Sequence, residues 1–420
     1  MHPEHAAADT DAGSCGARPL EKGGGARPAW QRAEAFCIMA PMRSLLLTAA
    51  VTLALAACAA PAHRAMYYWK TAEGPSAEEI AVADSLGVQR LYVRVFDVEA
   101  DGTATPPLAG WAGSGNREIV PVVYVVNGAL LQSTFRPADA ASSLLAKVSA
   151  AALGPWKEMQ VDCDWTQGSR AAYFALLAAL RDKLHAQGRA LSATIRLHQV
   201  KYRADTGVPP VDRGMLMAYN LLPPDQAGER SSILDNAELG AYLASLKSYP
   251  LPLDAALPIF SWVAQWEGER LLGLIDDPAV GSELAGPVLA GPGFRQIGPG
   301  RFLAMSRGSL RGRSVEKGDV LVVDAPSPAV VQAAAAMLSG ALRRQDRFAA
   351  LRRQDRFVAL YHLDSETINA FSGGGGAEPR RDHAQIDAVY DALGAHRGGR
   401  LPAGAHRGGG LPASRLRAGP

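Results

Sequence analysis

The chain reads as an α/β protein, a (β/α)8 barrel of the TIM type with a small β-rich insertion before its last strand. Three observations predict this. Short apolar or β-branched runs alternate with amphipathic helical patterns between residues 66 and 366, as βα units do. Several runs are continuously apolar, such as VPVVYVV at 120–126 and AALPIF at 255–260, which suits strands covered by helices. The run count is eight over about 300 residues, which fits a closed barrel. An open doubly wound sheet is the runner-up, but no Gly-x-Gly-x-x-Gly loop supports it.

In chain order, strands are expected at 66–70, 90–98, 118–126, 158–165, 191–197, 214–220, 255–262 and 356–363. Helices are expected at 76–86, 137–152, 169–187, 237–248 and 328–342. The clearest is 169–187, where Tyr173, Leu176, Leu177, Leu180 and Leu184 share one face and Gly188 follows as a stop. From 267 to about 325 the chain is too long and too Gly-rich for a βα loop, and β-like pieces at 301–305 and 320–323 predict a small β insertion. ALRRQDRFA at 341–349 recurs as ALRRQDRFV at 350–358, which lengthens the connection into the last strand. GAHRGGRLPA at 394–403 nearly recurs at 403–413, inside a Gly-, Pro- and Arg-rich tail (367–420) expected to be disordered except for a helix near 383–393.

Of 420 residues, 43 are Lys or Arg and 41 Asp or Glu, a formal charge of +2. That balance gives no dense positive field, so no nucleic-acid partner is expected. A 48% apolar content supplies a large core, and four scattered cysteines make neither a disulfide scaffold nor a zinc cluster. At 42–60 the chain reads MRSLLLTAAVTLALAACAA, with Arg43 ahead of an apolar run at 45–57 and then Cys58, the order of a secretory signal. Its end, LAAC, resembles the lipobox of bacterial lipoproteins. The resemblance implies a signal peptide at 42–57, diacylglycerol on the Cys58 thiol, a lipidated linker at 58–65 and membrane attachment through that lipid. Ala59, where an inner-membrane retention signal has Asp, points to the outer membrane of the cell envelope. Residues 1–41 are then expected to be a disordered artefact of an upstream start, with Met42 (or Met39) as the true one.

Active sites of such barrels gather at the carboxyl ends of the strands. Those ends carry Tyr67, Tyr68, Trp69 and Lys70; Arg94 and Asp97; Asn127; Asp162, Asp164 and Trp165; Arg196, His198 and Gln199; Tyr219 and Asn220; Trp262, Gln265 and Trp266; Tyr361, His362 and Asp364. Asp162 and Asp164 stand two apart, so on a strand both face one way, with carboxyls about 6–7 Å apart. Such a pair can divide acid and base roles, or be neutralised structurally by Arg94 or Arg196. Tyr68, Trp69, Trp165, Tyr219, Trp262 and Trp266 offer flat surfaces to the apolar faces of sugar rings. Arg94, Arg196, His198, Lys201 and Arg213 fit an anionic group or, equally, the neutralisation of Asp162, Asp164 and Asp212. No close-spaced ligand motif occurs, so neither metal nor cofactor is expected, and Cys163 alternates away from the two aspartates as a packing residue.

Val161-Asp162-Cys163-Asp164-Trp165 resembles the strand-four signature Asp-x-x-Asp-x-Asp-x-Glu of family 18 glycoside hydrolases, the chitinase-like barrels, with Asp162 and Asp164 at its second and third aspartates. Met217-Ala218-Tyr219-Asn220 resembles that family's Met-x-Tyr-Asp. Trp262 resembles the tryptophan flooring its sugar site, which the family carries on the last strand. The resemblance implies that Asp164 and Tyr219 assist attack by a substrate N-acetyl group. It also places Thr166 where the family has its acid, so a donor must come from Asp97, His198 or Asp364, or the site binds sugar without cutting it. More broadly, YYWK, RLYVRVFDV, VDCDWT, LPIFSW and YHLD resemble a family of uncharacterised bacterial lipoproteins over most of 66–366. The expected function is that of an envelope lipoprotein acting on a glycan or peptidoglycan fragment by carboxylate chemistry. Asp162, Asp164 and Tyr219 are the catalytic candidates; Tyr68, Trp69, Arg94, Asp97, Arg196, His198, Asn220, Trp262 and Asp364 are the binding candidates. The alternatives are a non-catalytic glycan-binding protein and a structural envelope component.

Overall fold

The computed structural model describes residues 62–111, 113, 115–276, 289, 291–348, 355–373 and 383–397. Parallel strands β1 (Ala62–Tyr68), β2 (Arg90–Val98), β3 (Glu118–Val125), β4 (Glu158–Asp162), β5 (Ala190–Arg196), β6 (Arg213–Met217) and β7 (Leu253–Pro258) pair in succession. An inserted block follows, made of β8 (Trp262–Glu267), β9 (Arg270–Asp276), β10 (Phe294–Gly298), β11 (Arg301–Ala304), β12 (Gly308–Leu310), β13 (Arg313–Val315) and β14 (Val320–Asp324). Strand β15 (Arg356–Tyr361) then lies between β7 and β1 and closes the ring. The expected (β/α)8 barrel is the fold observed, with one further short strand, β16 (Ala395–His396), on the start of β1 outside the ring.

Helices α1 (Ala77–Ser85), α2 (Pro137–Ala150), α3 (Arg170–His185), α4 (Leu197–Lys201), α5 (Arg203–Thr206), α6 (Asn236–Leu246), α7 (Pro328–Phe348), α8 (Ser365–Phe371) and α9 (Ala384–Ala392) complete the described residues. Local chemistry sets their starts. Ser76 and Glu79 form a reciprocal capping box on α1, Pro137 occupies the first turn of α2, and Asp235 accepts from the Glu238 amide at α6. On α3 the predicted apolar face, Tyr173, Leu176, Leu177, Leu180 and Leu184, is fully buried.

The barrel interior is filled from below. At the amino ends of the strands, Arg90 reaches Glu158 at 2.9 Å and Glu118 at 2.8 Å, and Arg213 reaches Asp254 at 3.0 Å. Above them Tyr92 and Tyr67 stack with ring centres 5.0 Å apart, and the Tyr67 hydroxyl donates to Gln160 Oε1 at 2.6 Å. Charges this deep persist because each has a partner. The layer blocks the bottom of the barrel and leaves the carboxyl ends as the open side.

The insert begins earlier than the expected residue 267. Strand β7 stops at Pro258, and Trp262, expected at the end of the seventh barrel strand, opens β8 instead. The antiparallel order is β10-β11-β14-β8-β9, and Val263, Ile275, Phe302, Leu310, Val315 and Leu321 form a separate small core. The nonapeptide duplication splits between two structures. Its first copy ends α7, residues 349–354 lie outside the described set, and the Arg356-Phe357 of the second copy starts β15.

Packed chain extends past the expected barrel limits of 66 and 366 at both ends. Strand β1 starts at Ala62, and α9 buries Ile386, Val389 and Tyr390 in the main core, so this part of the expected tail is built into the fold. Arg64 ties the two ends together. Its buried guanidinium donates to Leu86 O at 2.9 Å, pairs with Asp387 and with Asp391 at 3.0 Å, and lies over the Tyr390 ring. The signal segment, Cys58 and the second decapeptide lie outside the described residues. Replacing Arg64 with Met removes its links to Leu86 O, Asp391 and Asp387, leaving Asp387 only its exposed partner Arg397, and should lower unfolding free energy by about 2–4 kcal/mol. Urea titration checks this; a loss under about 0.5 kcal/mol would mean α9 is held by other contacts.

Candidate functional site

Above the filled interior, at the carboxyl ends of the strands, lies a cavity of about 600 Å³. Its floor is Asp162, the last residue of β4, only 4% exposed. The Thr194 hydroxyl donates to Asp162 Oδ1 at 2.6 Å. Burial raises the proton affinity of this carboxyl, and nearby Asp164 adds to the effect. Arg196, the Thr194 hydrogen bond and Arg94 pull the other way, and burial wins.

Asp164 follows two residues later, beyond the strand end, with its side chain half exposed. Arg196 Nε donates to Oδ1 at 2.6 Å and Nη2 to Oδ2 at 3.1 Å, a two-point grip. The third Arg196 nitrogen, Nη1, is buried without a hydrogen-bond partner. Its guanidinium lies 5.8 Å from the Tyr219 ring. The Tyr219 hydroxyl has only the Met217 sulfur as a partner, at 3.4 Å, and burial keeps it protonated well above the usual phenol range.

Aromatic rings wall the cavity. Tyr361 is central, with ring centres 5.5 Å from Trp69, 5.6 Å from Tyr219 and 5.4 Å from Phe260. Trp262 stands 5.6 Å from Phe260, and Arg94 lies over both Trp69 and Tyr124. On the rim, Lys70 bridges Glu79 at 2.6 Å and Asp364 at 2.7 Å, and Asp364 also caps α8. Burial opposes ionisation of Asp364, but hydrogen bonds from Lys70 and the Thr367 amide hold its carboxyl below the usual range. His362, beside it, is held neutral to lower pH by burial. Among the described residues no group of three or more His, Cys, Asp or Glu side chains is placed to hold a metal ion.

Nine of the predicted residues meet in this cavity: Asp162, Asp164, Tyr219, Trp69, Arg94, Arg196, Asn220, Trp262 and Asp364. Others do not. Tyr68 alternates outward from Trp69, donates to Glu73 O at 2.8 Å and packs on Trp111. Asp97 does not line the cavity; it grips Arg94, with Nε at 2.7 Å, and so fixes that side chain over the aromatics. His198 sits on α4, off the mouth. Trp165 is buried outside the barrel, stacked on Tyr173 with its Nε1 donating to Thr206 O, and Trp266 lies along β8. Of the predicted basic residues, Arg94 and Arg196 reach the cavity and the others do not. Arg213 is at the closed end with Asp254, and Lys201 lies over the Tyr242 ring.

Lys70, Tyr124, Phe260, Ser261, Asp276, Tyr361, His362 and Thr367 complete the lining and are not among the binding residues expected from the sequence. Tyr361 and His362 carried a signal, since both stand at the end of the last strand. Asp276 carried none, because nothing in the Gly-rich insert marks which residue turns back to the barrel. Thr166 is exposed in the turn before α3, where its amide donates to Ser169 Oγ at 3.0 Å, and it lies outside the cavity.

No family model matches the chain, and no curated protein matches it. Among solved structures, it is similar to the spore cortex-lytic enzyme SleL of Bacillus megaterium, with TM-score 0.45, 13% identity, and 74% of this chain and 72% of that one covered. A chitinase from Chromobacterium violaceum gives TM-score 0.43 and 15% identity, covering 76% and 99%. A class V chitinase from Pseudomonas fluorescens gives 0.45 and 13%, covering 74% and 99%. At these values the likeness concerns the path of the chain and not its chemistry.

The raised Asp162 carboxyl makes a signed prediction. Its contribution to stability is complete below the ordinary aspartate value of 3.8 and is lost as pH rises through the raised value. Asp162→Asn, which cannot ionise, escapes that loss. Its melting temperature relative to the parent should therefore climb as pH rises above the ordinary aspartate value of 3.8. A difference independent of pH would show that Asp162 ionises as freely as in the unfolded chain.

Proposed function

We propose that the mouth of this barrel takes a carbohydrate and that Asp162 and Asp164 carry out carboxylate chemistry on it. One observation supports this above the rest: a carboxyl pair on one strand end, its inner member starved of water, lies under a wall of aromatic rings in a cavity sized for a small ligand. In this reading Asp162 holds the proton and gives it to the glycosidic oxygen as the C–O bond breaks. Asp164, positioned by Arg196, steers the group that attacks the anomeric carbon, either the substrate's own amide or a water whose proton it takes. The Tyr219 hydroxyl, with only a thioether as partner, is left to donate to the substrate. The family 18 resemblance of the Asp162–Trp165 and Met217–Asn220 segments agrees with the roles of Asp164 and Tyr219, whereas it would put the proton donor at Thr166 and not at Asp162.

A second reading, glycan binding without cleavage, is favoured by the place of Thr166. The residue at the family's acid position lies outside the cavity, and the substitutes weighed for it are compromised. Asp97 is tied to Arg94, Asp364 to Lys70, and His198 stands off the mouth. Calorimetry and product analysis with chito-oligosaccharides and peptidoglycan fragments separate the two. The catalytic reading expects turnover to fall at least about 100-fold in both Asp162→Asn and Asp164→Asn, with binding kept within about tenfold. Binding without products supports the second reading, and the absence of binding contradicts both.

We also propose that the chain is a lipoprotein of the outer membrane, held through Cys58, on the strength of the signal-like segment at 42–58. Expressed in a Gram-negative host, the full chain should partition into the detergent phase and into outer-membrane fractions, whereas Cys58→Ser should move to the aqueous phase. Equal partitioning of the two would refute the anchor.

A further inference from the structure

The inserted sheet contributes two polar groups to the mouth that none of the roles above uses. Trp262 opens β8 and Asp276 ends β9, and the two are direct register partners in the antiparallel pair. Their neighbours fix which way they face. Val263 and Ile275, the next pair along, are buried in the insert's own core. Side chains alternate along a strand, so Trp262 and Asp276 both point away from that core, and both line the cavity. Asp324, opposite Trp262 on β14, shares the row but is occupied. It accepts from Ser231 Oγ at 2.5 Å and from the Ser232 amide and hydroxyl at 2.6 Å.

Trp262 is 92% buried by its neighbours, being 8% exposed, yet its indole Nε1 has no hydrogen-bond acceptor. A buried N–H without a partner is costly, and one at a cavity wall is accounted for when a ligand supplies the acceptor. Asp276 is exposed at the same wall, in the field of His362 and Tyr361. His362 Nδ1 is a second buried nitrogen there without a partner.

We propose that the open end of the β8–β9 pair is a hydroxyl-recognising subsite, in which Trp262 Nε1 donates to, and Asp276 accepts from, adjacent hydroxyls of a neutral sugar ring. This rests on reading the mouth as a carbohydrate site. A donor and an acceptor side by side match a hydroxyl, which is both acceptor and donor. An ammonium group would satisfy Asp276 but leave the indole N–H unpaired. Register partners have Cβ atoms about 5 Å apart, a spacing that neighbouring ring hydroxyls can bridge.

The test is calorimetry of the full chain, Trp262→Phe and Asp276→Asn with tetra-N-acetylchitotetraose, cellotetraose and fully de-acetylated chitotetraose. Phenylalanine keeps a smaller aromatic face and removes the N–H donor; Asp276 is exposed, so its variant reports on the hydroxyl contact with the ring area unchanged and gives a readout even where Trp262→Phe does not fold. Each variant should weaken binding of a neutral tetramer about tenfold, and parent affinity should change less than about twofold between about 50 and about 500 mM salt. Parent binding with both variants within about twofold overturns the subsite and leaves the sugar reading standing. Preference for the de-acetylated tetramer with steep salt dependence overturns the hydroxyl assignment in favour of a cation. No parent binding to any tetramer removes the sugar reading, and this one with it.

Discussion

The geometry of the site depends on how little water reaches Asp162. The residue sits where a filled barrel ends and an open mouth begins. Below it, Gln160, Tyr67 and Tyr92 occupy the interior, and the paired charges of Arg90, Glu158, Arg213 and Asp254 seal the base. Buried side chains lie below it and aromatic rings above, the Thr194 hydroxyl donates to it, and burial disfavours its ionisation. Asp164, two residues on, escapes burial because β4 has already ended. One strand terminus thus yields two chemically different carboxyls.

Arg196 couples them. It grips Asp164 with two nitrogens, lies over Tyr219 and lowers the proton affinity of Asp162 from the next strand. Its position at the end of β5 follows from the parallel register, which pairs Arg196 with Met217 and sets it beside the β4 terminus. The aromatic wall has a comparable origin. Trp69, Tyr124, Tyr219 and Tyr361 each stand at or just past a strand end, whereas Trp262 arrives from the inserted sheet.

Much of this is legible in the sequence, because a buried parallel strand must be an apolar run and its end must turn polar. Strand β2 falls at 90–98 as expected, and the face of α3 is the one its spacing predicts. What was not legible depends on where strands stop. Expecting β4 to run to 165 put Trp165 at the mouth; the strand stops at Asp162, and the indole turns out to stack on Tyr173. Expecting the seventh strand to reach Trp262 hid the early start of the insert. Tyr68 and Trp69 differ by one position and lie on opposite sides of the wall, a distinction that composition cannot make. The nonapeptide repeat is the sharpest case. RRQDRF ends a helix in one copy, and RF opens a strand in the other, so tertiary context and not local propensity decides.

The most direct measurement is a crystal structure of the chain soaked with tetra-N-acetylchitotetraose. A sugar ring lying against Tyr361 and Trp262, with its anomeric carbon above the Asp162 and Asp164 carboxyls, is the predicted result. Density for the sugar anywhere but this mouth, or rings of the wall collapsed onto Asp162 so that no sugar can enter, would contradict it.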